Sequence, residues 1–176
     1  MLRDLIYYGH LGLRKKCEEV KEITPEVRQV AQDLIETVLE KDGAGLAAPQ
    51  IGVYLRMFVI RYDNGEDDEG WPISCPPKLY INPKLSSPSD EVWNHGEGCL
   101  SIPGVYEKVT RPYAIDIEAM DLDGNLFKER ATGWRSRSLM HENDHINGVL
   151  FIDRINPNRR KKIDQALKAI KKKYNI

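Results

Sequence analysis

The sequence has 176 residues, 41% of them hydrophobic and 30% charged, with a formal net charge of −1. That is the composition of an ordinary globular chain of one-domain size, 1–176, and it excludes collagen-like, low-complexity and disulfide-stapled classes. The three Cys, at 17, 75 and 99, are odd in number, widely spaced and without a C-x-x-C pair, which favours a reducing compartment. No stretch approaches the roughly 18 consecutive apolar residues of a membrane span. The first ten residues carry Asp4 and no signal-length apolar run, so a cytoplasmic location without membrane contact is expected. Charge is unevenly spread. From Arg154 to Ile176 there are nine Lys/Arg and one acid, a net of +8, against −9 for the first 153 residues.

In chain order, Thr24-Pro25-Glu26 reads as a helix start, with a hydroxyl cap, Pro in the first turn and an acid behind it. Val27, Val30, Leu34 and Val38 follow at helical spacing, so the helix is expected to run to about Lys41 and stop before Asp42-Gly43. Residues 43–50, G-A-G-L-A-A-P-Q, read as a small-residue loop. A buried strand is expected over 57–62, an acidic solvated loop over 63–70, and a second strand over 78–84, punctuated by Pro76, Pro77 and Pro83. Residues 114–120 alternate as a half-buried strand does; Asp121-Leu122-Asp123-Gly124 is a hairpin signal and 125–132 the return strand. Trp134, Ser138, His141, His145 and Gly148 then share one helical stripe. Asn156-Pro157-Asn158 breaks the chain before a last helix with Ile163, Leu167, Ile170 and Tyr174 on one face and lysines on the other. Strands and helices do not alternate as β-α-β units. The expected class is α+β, with antiparallel strands around a central helix and an N-terminal and a C-terminal helix.

The densest chemistry is H-E-N-D-H at 141–145. On a helix His141 and His145 face one metal ion, and Glu142 reaches its bound water as a general base. A third ligand is needed. In one H-E-x-x-H class it is a His six beyond the second, a position held here by Phe151. In another it is a downstream Glu, and no Glu follows Glu142. Upstream, Cys99 in E-G-C-L-S and His95 four residues before it both remain as candidates; a thiolate with two imidazoles suits a borderline transition metal with one open position.

Three stretches in this order, G-A-G-L-A-A-P-Q, E-G-C-L-S and H-E-N-D-H, resemble the signature segments of peptide deformylase. The likeness extends through Ile102-Pro103-Gly104 and Gly148–Asp153. It implies an α+β fold and removal of the formyl group from N-formyl-methionyl nascent peptides. It implies Cys99, His141 and His145 as ligands of one divalent ion, usually Fe(II), with Zn, Ni or Co as substitutes. Glu142 then moves the proton, while Gln50 and the Leu100 amide stabilise the oxyanion. Gly45 is implied to pair with the substrate main chain, and Ala44, Glu97, Trp134, Arg137, Ser138 and His141 to line the methionine slot. Met140 and Tyr106 depart from the family's more usual Gln and Arg. Asp144 is expected to orient a ligand or an Arg.

The residues also frame two other readings. A zinc peptidase lacks its downstream third ligand. A catalytically silent or ribosome-associated metal module would need neither Glu142 nor Gln50. The basic end, 159–176, is readable as a ribosome contact or as a solvated lysine face over an apolar stripe. Cys17 and Cys75 are expected to be structural, and His10 and His95 to lie in loops or at the surface.

Overall fold

In the computed structural model, which describes residues 1–176, helix α1 spans Pro25–Glu40. The Thr24 hydroxyl accepts from Val27 N at its start. It ends one residue earlier than a glycine stop would place it: Asp42 takes the left-handed conformation (φ 47°) and Gly43 N closes the turn on Val38 O. Asp is one of the few non-glycine residues that tolerates this.

Seven strands follow: β1 Gly45–Ala47, β2 Met57–Glu66, β3 Pro72–Ser86, β4 Val92–Cys99, β5 Ile102–Pro112, β6 Ala114–Met120 and β7 Leu126–Thr132. Five form an antiparallel sheet in the order β1-β2-β3-β6-β7, and β4 and β5 form a separate hairpin. Helix α2, Gly133–Ile146, leaves β7 through Gly133 at φ +53°. Two short helices, α3 Pro157–Lys162 and α4 Asp164–Lys173, close the chain. No helix is long and apolar enough to cross a membrane.

The run Met57-Phe58-Val59-Ile60 is apolar without interruption because both faces of β2 are covered. Phe58 and Ile60 join Leu139 and Ile146 of α2 in one apolar cluster, while Met57 and Val59 join Leu34 and Val38 of α1 in another. Each such fully buried side chain contributes about 1.5–3 kcal/mol. A third cluster packs Val105 and Val109 of β5 against Phe151, Leu167 and Ile170. The α+β class and the central helix are therefore as expected.

Several local expectations are corrected. The 43–50 segment is not a loop but strand β1 followed by a 3-10 turn at Ala48–Ile51. The acidic 63–70 segment is mostly hairpin: β2 runs on to Glu66, which pairs with Pro72, and only residues 67–71 turn. Strand β3 passes through its prolines. Pro76, Pro77 and Pro83 sit where the pairing slips, near Ile60/Tyr62 and between Ile81 and Lys84, so their missing N–H groups fall outside the regular ladder. The last helix is two helices that meet at Ile163.

Candidate active site

Eleven of the 14 residues of α2 are buried, and seven of those are Arg135, Ser136, Arg137, Ser138, Glu142, Asp144 and His145. Burying that much polarity is unfavourable unless each group has a partner or a task. His141 and His145 lie one turn apart on this helix and face the end of β4. There Cys99 pairs with Ile102 across the Leu100–Ser101 turn, so it ends a strand rather than sitting in a loop. Cys99 Sγ is 3.3 Å from His145 Nε2, and the ligand atoms of Cys99, His141 and His145 all lie within 4.8 Å of one another. Three convergent soft and borderline donors, one thiol and two imidazoles, fit a four-coordinate transition-metal ion with one position open. His95 is not among them. It lies on β4 between the rings of Trp93 and Trp134, at 4.7 and 4.5 Å, and its Nδ1 accepts from Gly96 N.

Glu97 lies two residues before Cys99 on β4, yet its carboxylate is occupied elsewhere. It accepts from Arg111 Nε and Nη2 (2.5 and 2.9 Å) and from Arg137 Nη1 (2.7 Å), and lies 2.9 Å from His141 Nδ1. With Nδ1 turned to Glu97, His141 presents Nε2 to the ligand cluster. Burial alone would raise the Glu97 carboxyl, but the hydrogen bonds from Arg111 and His141 outweigh it and hold it well below the usual range. Arg111 Nη1 also reaches Asp144 Oδ2 (3.0 Å), and Arg154 holds both oxygens of Asp144. A chain of charges thus clamps β4, β5 and α2 together. Asp144 orients arginines, as the sequence suggested.

Glu142 differs. Its Oε2 is buried without a partner, and burial pushes the carboxyl up to about 7 against the pull of His141. It presses so closely on β1 that a Cβ at Gly45 would meet Glu142 Oε1 at 2.6 Å. Burial, reinforced by neighbouring His141, keeps His145 well below its ordinary value. Gln50 is aimed by its surroundings. Ala47 N donates to its Oε1 (2.8 Å), which turns Nε2 toward Cys99 Sγ (3.6 Å) and Ser101 Oγ (3.2 Å). The Leu100 amide, one residue past Cys99, donates to no backbone acceptor.

Gln50, Glu97, Cys99, Leu100, His141 and Glu142 border one cavity of about 580 Å³, which Ala44, Gly45, Trp134 and Ser138 also line. That is a usual size for a small-ligand site. Strand β1 is the sheet edge beside it. Ala44 O accepts from Arg61 N, so the alternation of the ladder turns the N–H and C=O of Gly45 away from β2, toward the open side.

A family profile described as polypeptide deformylase matches residues 2–161. The chain belongs to the peptide deformylase family. It is thereby a metallohydrolase of the kind that removes the N-formyl group from nascent peptides. A peptide deformylase from a Bradyrhizobium species is 40% identical over 171 residues, covering 97% of this chain and 95% of that one. The crystal structure of the Ehrlichia chaffeensis deformylase superposes with a TM-score of 0.88 at 33% identity, covering 99% and 98% of the two chains. A plant peptide deformylase does so at 0.87 and 31%, covering 98% and 90%.

Two parts of the deformylase site escape sequence reasoning. Ser101, fully buried, receives Gln50, and Arg111 steers Glu97 and Asp144. A signal for Arg111 exists. On β5 residues 105, 107, 109 and 111 are buried in alternation, which places Glu107 and Arg111 on an inward face where a charge needs a partner.

Proposed function

We propose that this chain, acting as one catalytic domain over 1–176, deformylates nascent peptides with Glu142 as proton carrier. Gln50 Nε2 and the Leu100 amide serve as the oxyanion donors. Cys99, His141 and His145 hold one divalent ion, Fe(II), with Zn, Ni or Co as substitutes. When bound, such an ion acts as a Lewis acid and supplies a nucleophile at neutral pH by lowering the pKa of water from about 15.7 to roughly 7.

The chain's own residues do the rest. Glu142 takes a proton on its unpartnered Oε2 and delivers it to the departing amine nitrogen. Negative charge growing on the formyl oxygen meets the Leu100 N–H, which has no backbone acceptor, and a Gln50 Nε2–H that exchanges its long contact with Cys99 Sγ for the oxyanion. The peptide lies as an added strand along the β1 edge, paired with the outward N–H and C=O of Gly45. Its methionine enters the slot formed by Ala44, Trp134, Ser138 and the stem of Glu97, with the Glu97 carboxylate reserved for His141. What carries this reading is the pairing of an unsatisfied buried carboxylate with a convergent Cys/His/His set beside a cavity of about 580 Å³.

The test is anaerobic purification with Fe(II), followed by assay of formate release from a formyl-methionyl peptide. No formate, or equal release by Glu142→Ala, rejects the assignment; cleavage of an internal peptide bond would favour a peptidase.

The reading places the enzyme in the cytoplasm, with the basic end near the ribosome. Arg159 and Arg160 are paired with Glu107 and Asp164, but Lys161, Lys162, Lys168, Lys171, Lys172 and Lys173 are exposed and form no ion pair. Leu167 and Ile170 belong to the core, so deletion of 159–176 would unfold more than a contact. Replacing the six lysines by Gln is the cleaner variant. Unchanged, salt-insensitive ribosome binding would exclude docking.

A further inference from the structure

The turn of the β2–β3 hairpin is braced from within. Asp67 Oδ1 accepts from Glu69 N and Trp71 N, Asp67 N donates to Trp71 O, and Gly70 N donates to Asp67 O. Gly70 sits at φ +83°, a conformation that side chains rarely adopt. One hydrogen bond joins residues 67–71 to the body of the protein: Trp134 Nε1 donates to Gly70 O at 3.2 Å. The legs of the hairpin are tied to the same corner, since Thr132 N donates to Asn64 Oδ1 and Arg135 Nη1 to Tyr62 O.

Trp134 stands on the stripe of α2 that carries Ser138 and His141, i, i+4 and i+7 along one face. Its indole meets His95 and Trp93 edge-on at 4.5 and 5.0 Å, which leaves the ring little room to turn. Trp71, the residue after Gly70, is 58% exposed and lines the same cavity. The acidic hairpin therefore reaches back to the mouth of the slot and fixes its outer wall from a distant part of the sequence.

The geometry points to Trp134 as a specificity-determining residue whose position is set by the β2–β3 hairpin through the Gly70 carbonyl, so that the slot admits an unbranched thioether side chain and rejects a bulkier aromatic one. This rests on the slot reading given above. A narrow, unbranched chain lies flat against the indole, where its sulfur gains a favourable aromatic contact. On this proposal a phenyl ring displaces the indole, a movement that the hydrogen bond and the two flanking rings oppose.

Two variants test it. Trp134→Phe keeps an aromatic ring and removes the donor. In the second, residues 67–70 are replaced by a two-residue Asn-Gly turn, which shortens the hairpin by two residues to draw its tip carbonyl out of reach of Trp134 and leaves Ala44, Trp134 and Ser138 intact. Formate release is compared for formyl-methionyl and formyl-phenylalanyl peptides of otherwise identical sequence. The preference for methionine, as a ratio of kcat/KM, should fall about tenfold in both variants. Hydrogen exchange of the 70 and 71 amides should quicken in Trp134→Phe. An unchanged ratio in the hairpin variant overturns the proposal even if Trp134→Phe alters it, because then only the ring matters. Equilibrium binding of both peptides, read by tryptophan fluorescence, separates this from the functional reading. A native protein that binds methionyl over phenylalanyl peptide without turnover defeats the assigned chemistry and leaves the wall standing, whereas equal binding of the two defeats the wall.

Discussion

Glu97 and Glu142 are equally hidden, 7% and 4% exposed, and stand on either side of His141, yet they are opposite kinds of carboxylate. Around Glu97, two arginines and an imidazole hold the charge in place. Around Glu142 nothing answers Oε2, and the group is poised near neutrality. Burial is common to both, so partners decide. Donors turn a buried acid into a fixed charge that aims a histidine, and their absence leaves a carboxyl that can take up and release a proton near neutrality.

The comparison is broken most directly at Glu142. Glu142→Gln should lower formate release about 10²–10⁴-fold, while metal analysis finds the ion still bound. A variant that loses its metal instead would place Glu142 among the ligands. Removal of a partner on the other side comes next. Arg111→Met leaves Glu97 and Asp144 each short of a donor in a dry environment, and a urea denaturation should report a loss of about 3–5 kcal/mol.

Glu97→Gln sharpens the distinction, since it keeps the shape and removes the charge that fixes His141. Metal affinity, measured by competition with a chelator, should fall about 10–100-fold. An unchanged affinity would mean that packing alone orients the imidazole.

The smallest effect uses a third carboxylate remote from the site. Burial would raise Glu129, but hydrogen bonds from Lys78, Tyr80 and Arg135 bring it down from 4.5 to about 2. A lowered folded-state value stabilises the protein above the unfolded value and ceases to do so as acid protonates the group. Stability should thus drop between about pH 4.5 and pH 2, by on the order of 1 kcal/mol once solvent screening at this partly exposed group is allowed for. Urea midpoints across that range should fall by about that much less in Glu129→Gln than in the native protein, because the other paired carboxylates, Glu97 among them, contribute equally to both.

The readable parts of this molecule are those written in neighbouring residues. Thr24-Pro25 announces α1, and two histidines four apart announce a metal-facing helix. What stayed hidden depends on register. Arg111 lies opposite Trp93 in the β4–β5 hairpin and reaches along it to Glu97, a relation that neither strand's own pattern contains. Likewise, the small residues of 43–50 looked too slight for a strand, because β1 is held by pairing with β2 and by the approach of Glu142 rather than by side chains of its own. Only the family resemblance assigns Glu97 to the slot; the neighbours of its carboxylate depend on how β4, β5 and α2 come together.

Strand β1 is three residues long and open on one side. So short an edge offers few bonds with which to recruit another copy of the sheet, and in the proposed binding mode it need seat only the first residues of a guest chain. Main-chain pairing is blind to side chains. An enzyme that grips its guests this way can serve a whole proteome with a single binding rule and leave all discrimination to the one residue that enters the slot.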